Sequence, residues 1–207
     1  MALLKLGVFA SGRGSNFAAI LKSIDDGRLE ACVRVLISNN PEAKALDLAG
    51  ERNISARVIR KSDFQDRPVF VQTMQETLRS QSVDFICLAG YMKKIPVEII
   101  REYRNRILNV HPALLPSFGG KGMYGRRVHD AVIRQGCKVS GATIHLVDEE
   151  YDRGPIVAQR CVPVEPDDTP DTLAARVLEV EHTLFPETIQ LFAERRVRIE
   201  NGCAVVR

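Results

Sequence analysis

The chain has 207 residues, of which 45% are hydrophobic, enough for one substantial core. Its 29 basic and 26 acidic residues are interspersed and leave a formal net charge of +3, so the concentrated basic face that nucleic-acid partners require is missing. No run approaches the ~20 apolar residues of a membrane-spanning helix. Composition therefore predicts a soluble protein without nucleic-acid or membrane partners.

The first half of the chain alternates short apolar segments with helical patterns. The predicted strands are Leu3 to Ala10, Val33 to Ser38, Arg57 to Arg60 and Val83 to Leu88. The predicted helices between them are Asn16 to Asp26, Pro41 to Asn53 and Pro68 to Ser80. This order predicts a parallel sheet with right-handed crossovers and helices on both faces. Ligands of such sheets bind beyond the carboxyl ends of the strands.

After His111 the pattern changes to a glycine-rich loop and then a helix from about Arg126 to Gln135. Two long strand-like segments follow, Val139 to Val147 and Ile156 to Val164. The short connection between them leaves no room for a crossover helix, so we expect an antiparallel pair that extends the sheet.

A long helix is predicted from about Thr169 to Arg195, with Thr169 or Asp168 as N-cap and a kink or division at Pro186. Asn201-Gly202 then predicts a two-residue hairpin. We therefore expect a Rossmann-like three-layer α/β fold with a mostly parallel sheet of about seven strands. It forms a single domain over residues 1–207, with an N-terminal part over about 1–105 and a C-terminal part over about 106–207.

The cysteines and the N-terminus bear on the cell compartment. The five cysteines are far apart, odd in number and free of any C-x-x-C pair, as is typical of reduced thiols in a cytosolic protein. The first ten residues read as a short apolar strand rather than a signal peptide. We therefore expect a cytoplasmic protein.

The segment Ile107-Leu-Asn-Val-His-Pro-Ala-Leu-Leu-Pro116 carries the strongest chemical signal. Asn109 and His111 are two residues apart at the end of an apolar strand, so both side chains point to the same face. The prolines that follow end the strand, which places the two polar groups at a rim of the sheet. An amide and an imidazole that converge in this way suit charge developing on a carbonyl oxygen. Two satisfied polar residues in a strand-end turn are the structural alternative.

The loop Ala10-Ser-Gly-Arg-Gly-Ser-Asn16 lies between the first strand and the first helix. Its glycines let the backbone approach an anion, and helix N-terminal N–H groups point at it, which favours a phosphate. A dinucleotide is disfavoured because Phe17 stands where the G-x-G-x-x-G fingerprint needs its third glycine, and because Ser38-Asn-Asn40 stands where an acidic residue is required. A tight turn without a ligand is the alternative.

An acidic loop, from Asp148 to Asp152, joins the two long strands. One of its carboxylates could reach the sheet rim and stabilise a His111 imidazolium, although solvated turn residues are the simpler interpretation of the spacing alone. His129 and His145 lie inside a predicted helix and strand, and we interpret both as structural.

These motifs together resemble the folate-dependent formyltransferases. Asn109-x-His111-Pro-x-Leu-Leu-Pro116 is similar to the segment that carries the family's catalytic Asn and His. Asp152-Arg-Gly-Pro155 is similar to the Asp-x-Gly-Pro pattern of its catalytic aspartate, which singles out Asp152 within the acidic loop. The resemblance therefore implies catalytic roles for Asn109, His111 and Asp152.

The resemblance also implies binding residues. Gly14, Ser15 and Asn16 correspond to a loop that holds the ribose phosphate of a nucleotide, and Glu181 to a glutamate that binds its ribose hydroxyls. On the folate side it implies Arg67, Asn109 and a segment with backbone groups and apolar walls for the pterin: Met92, Lys93, Lys94 and Ile95. From the residues alone, Arg67 and Glu181 are equally well read as solvated helix charges.

The implied activity is transfer of a formyl group from 10-formyltetrahydrofolate to the primary amine of N1-(5-phosphoribosyl)glycinamide, a step of de novo purine (IMP) biosynthesis. The substrates are small molecules, no metal is expected because the four histidines show no ligand spacing, and the protein is expected to be a monomer or homodimer. Relatives that act on tRNA or hydrolyse formyltetrahydrofolate carry an extra domain, for which we expect no room in 207 residues. A formyltetrahydrofolate hydrolase, another folate-dependent formyltransferase, a dinucleotide-dependent oxidoreductase and a catalytically silent nucleotide-binding module are the alternatives.

Overall fold

The computed structural model describes residues 3–207 and shows an α/β fold. Within that range the strands are β1 (Leu4–Phe9), β2 (Ala31–Ser38), β3 (Ser55–Val58), β4 (Phe85–Leu88), β5 (Ile107–His111), β6 (Val139–Leu146), β7 (Ile156–Pro163), β8 (Val197–Glu200) and β9 (Cys203–Val206). The α-helices are α1 (Ser15–Asp25), α2 (Lys44–Glu51), α3 (Arg67–Ser80), α4 (Val97–Glu102), α5 (Arg126–Arg134) and α6 (Pro170–Ala193). A 3-10 helix covers Lys61–Asp63.

Seven of the strands form one sheet in the order β3-β2-β1-β4-β5-β6-β7. β1 pairs with β2 and β4 in parallel, and β2 pairs with β3 in parallel, whereas β6 and β7 are antiparallel. The prediction of a Rossmann-like fold with about seven mostly parallel strands is confirmed. In the part of the chain described, no helix is long and apolar enough to cross a membrane.

The contacts divide the chain into two compact units, the first ending at Leu108 and the second beginning at Asn109. In the first unit, β1, β2 and β4 form the core, and the last four residues of each of these strands are buried. Strands buried on both faces read as continuous apolar runs, which is why their sequences lack alternation. A Cβ at Gly7 would lie 3.0 Å from Leu78 of α3, so this glycine allows α3 to pack closely on β1.

In the second unit, α5 and α6 pack together, and α6 also packs on β6 and β7. Thr169 caps α6 with a capping box that involves Thr172, as the sequence predicts. The sequence predicts that this helix is kinked or divided at Pro186; the division is wrong, because α6 continues through this residue, and the kink stays a prediction. Pro186 lies in a buried run with Leu184 and Phe185, and this packing outweighs the one backbone hydrogen bond that a proline removes.

Other elements differ from the sequence-based expectation in their presence or in their bounds. The six-residue helix α4 has no counterpart among the predicted elements, and β3 begins at Ser55, two residues before the predicted Arg57. The predicted hairpin is confirmed: β8 and β9 pair across Asn201 and Gly202, whose φ angles of 51° and 79° are those of a type I′ turn.

Candidate active site

The glycine-rich loop after β1 leads directly into α1. Gly14 is the N-cap residue of α1, with a left-handed φ of 76°, and a Cβ there would lie 2.8 Å from the Cβ of Ala45. Both facts require glycine at this position. The intrahelical ladder starts with Ala18 N donating to Gly14 O, so the earlier N–H groups point out of the helix end. This arrangement suits an anion.

The backbone of this loop is held by polar contacts within the first unit. Ser11 Oγ donates to Asn39 Oδ1 and accepts from Met92 N at 2.8 Å. Asn40 Nδ2 donates to Ser11 O at 3.2 Å, and Ala45 N donates to Gly12 O at 3.2 Å. The Ser38–Asn40 segment, whose sequence disfavours a dinucleotide, therefore holds the loop in place through hydrogen bonds to Ser11.

The predicted pterin-side segment follows β4. Met92, Lys93 and Lys94 are exposed, whereas Ile95 is buried. The N–H of Met92 is already bonded to Ser11, as described above, so it is committed to the loop after β1. An exposed apolar side chain beside a buried one offers an apolar wall, but a folate contact by these residues stays a prediction.

Arg67 begins α3 and is exposed. Its guanidinium forms a two-pronged ion pair with Glu98, with Nη1–Oε1 and Nη2–Oε2 distances of 2.6 and 2.8 Å. The same pairing holds the pKa of the Glu98 carboxyl below its usual range. Arg67 would have to leave Glu98 to contact a folate, so the predicted folate contact competes with the ion pair. The folate contact stays a prediction.

In the second unit, Asn109 and His111 lie at the end of β5 as the sequence predicts. His111 is 4% exposed, and its Nε2 is 2.9 Å from the carbonyl oxygen of Phe118. Because a carbonyl can only accept, Nε2 carries a hydrogen and donates it. The nitrogen of His111 that remains for chemistry is therefore Nδ1.

Asp152 reaches this pair from the loop between β6 and β7. Its Oδ2 lies 3.8 Å from His111 Nδ1 and accepts a hydrogen bond from Gly120 N at 2.8 Å. Asp152 has a left-handed φ of 56°, a conformation that Asp tolerates better than most residues. The structure thus brings Asn109, His111 and Asp152 into one cluster, whereas Asp148 forms a turn by accepting from Glu150 N.

Glycines allow the loop that carries Asp152 to approach its neighbours. A Cβ at Gly154 would lie 1.9 Å from the backbone oxygen of Leu146, and a Cβ at Gly119 would lie 3.2 Å from the Cβ of Asp152. Leu146 N also donates to Pro155 O at 2.9 Å. The Gly-Pro of the Asp-x-Gly-Pro pattern therefore has a packing reason: it lets the loop fold back tightly onto the end of β6.

His145 also belongs to this cluster, although the sequence pattern indicated a structural residue. Its Nε2 lies 3.0 Å from Asn109 Nδ2 and 3.6 Å from Asp152 Oδ1. The signal that could have found it is its position near the carboxyl end of β6, just before the acidic loop. His129 is buried on α5, and burial together with the charge of His111 lowers its pKa.

Glu181 lies in the middle of α6 and is 7% exposed, so it is not the solvated helix charge that the residue pattern allowed. A carboxylate buried to this extent needs polar partners. Within residues 3–207 no group of three or more His, Cys, Asp or Glu side chains is arranged to hold a metal ion.

The cluster in the second unit defines a class of chemistry. It offers an amide N–H donor, an imidazole nitrogen and a nearby carboxylate, the groups that stabilise an oxyanion and move a proton. Within residues 3–207, the hydrogen bonds of the His111 and His145 rings go to Phe118, Asn109 and Leu146, and none goes to a serine or cysteine that could act as a nucleophile. An α/β enzyme that transfers an acyl-type group directly between two substrates fits this arrangement.

Comparison with known proteins identifies the family. The family model for formyl transferases matches residues 4–189, and the chain belongs to this family. The phosphoribosylglycinamide formyltransferase of Bacillus subtilis is 36% identical over 90% of the chain and 93% of its own length. The crystal structure of glycinamide ribonucleotide transformylase 1 from Symbiobacterium toebii superposes with a TM-score of 0.93 at 36% identity, and covers 99% of this chain and 94% of that one. The sequence-based assignment to the formyltransferases is confirmed.

A plant relative is longer than this chain. The chloroplastic phosphoribosylglycinamide formyltransferase of Vigna unguiculata is 47% identical over 93% of the chain, and the match spans 62% of the plant protein. The chain thus corresponds to less than two thirds of that relative.

Proposed function

We propose that the chain transfers the formyl group of 10-formyltetrahydrofolate to the primary amine of N1-(5-phosphoribosyl)glycinamide. The products are formylglycinamide ribonucleotide and tetrahydrofolate, as in de novo purine biosynthesis. The observation that carries the proposal is the cluster of Asn109, His111 and Asp152, in which a carboxylate oxygen lies 3.8 Å from the ring nitrogen His111 Nδ1. Relatives that match nearly all of the chain are named for the same reaction, which supports the proposal.

The chemistry begins with attack of the amine nitrogen on the formyl carbon. A new C–N bond forms, and the carbonyl electrons move to oxygen to give a tetrahedral oxyanion. Asn109 Nδ2–H and the protonated Nδ1 of His111 are the donors proposed to stabilise this charge. Each such donor is worth roughly 2.7–4 kcal/mol in comparable sites.

Collapse of the intermediate breaks the bond between the formyl carbon and N10 of the folate. The attacking amine loses a proton and the leaving nitrogen gains one, so the reaction needs a proton relay but no redox partner. Asp152 is proposed to hold the His111 imidazolium and to pass the proton, because its carboxylate faces Nδ1 while Nε2 is committed to Phe118. No covalent enzyme intermediate is required.

The proposal also assigns the residues that bind the two substrates. Gly14, Ser15 and Asn16 are assigned to the substrate phosphate, since the N-terminus of α1 opens at Gly14. Glu181 is assigned to the ribose hydroxyls. The folate contacts are assigned to Asn109, Arg67 and the exposed segment that begins at Met92.

The experiment that tests the proposal uses purified protein, 10-formyltetrahydrofolate and glycinamide ribonucleotide. We expect tetrahydrofolate and the formylated nucleotide to appear in equal amounts. Absorbance measures the folate product, and mass spectrometry measures the nucleotide product. Folate product that forms at the same rate without the nucleotide would instead identify a hydrolase. Absence of both products would overturn the proposal.

A further inference from the structure

His145 uses both ring nitrogens inside the cluster. Its side chain is 2% exposed, and Nδ1 lies 2.9 Å from the carbonyl oxygen of Leu146. On the other side of the ring, Nε2 lies 3.0 Å from Asn109 Nδ2 and 3.6 Å from Asp152 Oδ1. None of the motifs that implied catalytic residues includes this histidine.

These contacts determine which ring nitrogen carries the hydrogen. A carbonyl oxygen only accepts, so Nδ1 is protonated and donates to Leu146. In the neutral ring, Nε2 then carries a lone pair and no hydrogen, so it can only accept a hydrogen bond. Asn109 must therefore present its NH₂ group to His145, because the opposite amide rotamer would place two acceptors 3.0 Å apart.

We propose that His145 is a positioning residue that fixes the amide of Asn109 in the orientation needed for oxyanion stabilisation. One hydrogen of the Asn109 NH₂ group binds His145, and the second is kept for the formyl oxygen. This inference rests on the proposed formyl transfer. It adds a residue that acts through Asn109 rather than on the substrate.

Protonation of His145 would abolish this arrangement. An imidazolium carries hydrogens on both nitrogens, so Nε2 would no longer accept from Asn109, and the nearest carboxylate oxygen is that of Asp152. The charged groups that act on His145 are Asp152 and Asp148, which favour the imidazolium, and His111, which opposes it. Burial is the largest influence and lowers the pKa of His145, so the ring is neutral at neutral pH.

Two substitutions separate the acceptor from the bulk of the side chain. His145→Gln can still present an oxygen to the Asn109 amide, whereas His145→Leu fills the space without an acceptor. We expect kcat to fall about tenfold to hundredfold in the Leu variant, a partial loss of one oxyanion donor, and less than about fivefold in the Gln variant. The KM for the nucleotide should stay within about twofold in both. Equal losses in the two variants, or a loss confined to KM, would overturn the proposal.

A double-mutant cycle and a pH profile test whether His145 acts through Asn109. If it does, His145→Leu has no further effect on kcat in an Asn109→Ala background. His145→Gln removes the titrating ring, so acidification below neutral pH should lower its kcat less than it lowers that of the unmodified chain. Ser140→Ala, another buried position on β6, is the matched control and should leave kcat unchanged. Additive losses in the cycle would refute an action through Asn109.

The tautomer can be observed without any turnover. Long-range ¹⁵N–¹H spectra of the histidine-labelled protein resolve four rings, and the His145→Gln spectrum identifies the missing one. We expect that ring to be the Nδ1–H tautomer at neutral pH. An Nε2–H tautomer would refute the positioning role even if formyl transfer is observed. The expected tautomer in a protein without transfer activity would refute the proposed function and leave the geometry of His145 standing.

Discussion

Replacement of Asp152 by Asn tests the central element of the proposed mechanism. The amide has nearly the same shape, and its oxygen can keep the hydrogen bond from Gly120 N, so the loop should retain its fold. What disappears is a negative charge 3.8 Å from His111 Nδ1. The attraction between two unit charges at this separation is about 4 kcal/mol near a protein surface, where the effective dielectric constant is about 20.

That energy converts directly into an expected rate. Because each 1.36 kcal/mol is tenfold in rate, loss of about 4 kcal/mol from the imidazolium-stabilised transition state lowers kcat by about 10²–10³. The nucleotide should bind as before, since its proposed phosphate and ribose contacts do not include Asp152. A lowered kcat with an unchanged nucleotide Kd is therefore the expected signature.

The assay is steady-state formyl transfer, with the nucleotide Kd measured by calorimetry on the same preparations. Asp148→Asn is the matched control, because it removes the same charge from the same loop at a residue whose side chain accepts from Glu150 N and whose charge has only a minor influence on His145. We expect it to leave kcat within about twofold, as is usual for substitutions away from special features. If Asp152→Asn keeps kcat within fivefold of the unmodified protein, Asp152 does not act in the mechanism.

Four further predictions concern binding and stability. Ser15→Asp should raise the nucleotide KM about tenfold at unchanged kcat, because the new carboxylate repels the phosphate at the start of α1. An unchanged KM would show that the phosphate binds elsewhere. Gly154→Ala forces the loop away from Leu146 O, so the free energy of unfolding in urea should fall by about 1–3 kcal/mol and kcat should also fall. An unchanged free energy of unfolding and an unchanged kcat would contradict the tight packing. Thr169→Ala removes the cap of α6 and should cost about 1 kcal/mol in the same measurement, whereas an unchanged unfolding midpoint would deny the capping bond a role. The fourth prediction concerns histidines whose folded pKa is lowered mainly by burial: His129, His145 and His182. Below the unfolded pKa of about 6.5 the unfolded chain binds more protons, so the urea midpoint should fall from pH 7 to pH 5, and a flat profile would refute the burial argument.

Local signals in the chain determined much of this fold. Apolar runs separated by helical patterns predict the parallel strands, because strands covered on both faces must be continuously hydrophobic. The cap at Thr169 and the turn at Asn201-Gly202 depend only on neighbouring residues, so both could be read directly. The pair Asn109 and His111 follows from the two-residue period of a strand.

Contacts between distant residues were decided by tertiary structure. His145 meets Asn109 across 36 positions, and a register shift in the β6–β7 pairing falls between Ile144 and His145. Such an irregularity re-aims a side chain in a way that strand periodicity cannot show. The choice of Asp152 over Asp148 depends in the same way on a left-handed residue and on the bare backbone of Gly154. Sequence alone therefore determined most of the elements and the chemical groups they carry. Packing decided which side chains complete the cluster, because these distances depend on how separate strands and loops meet.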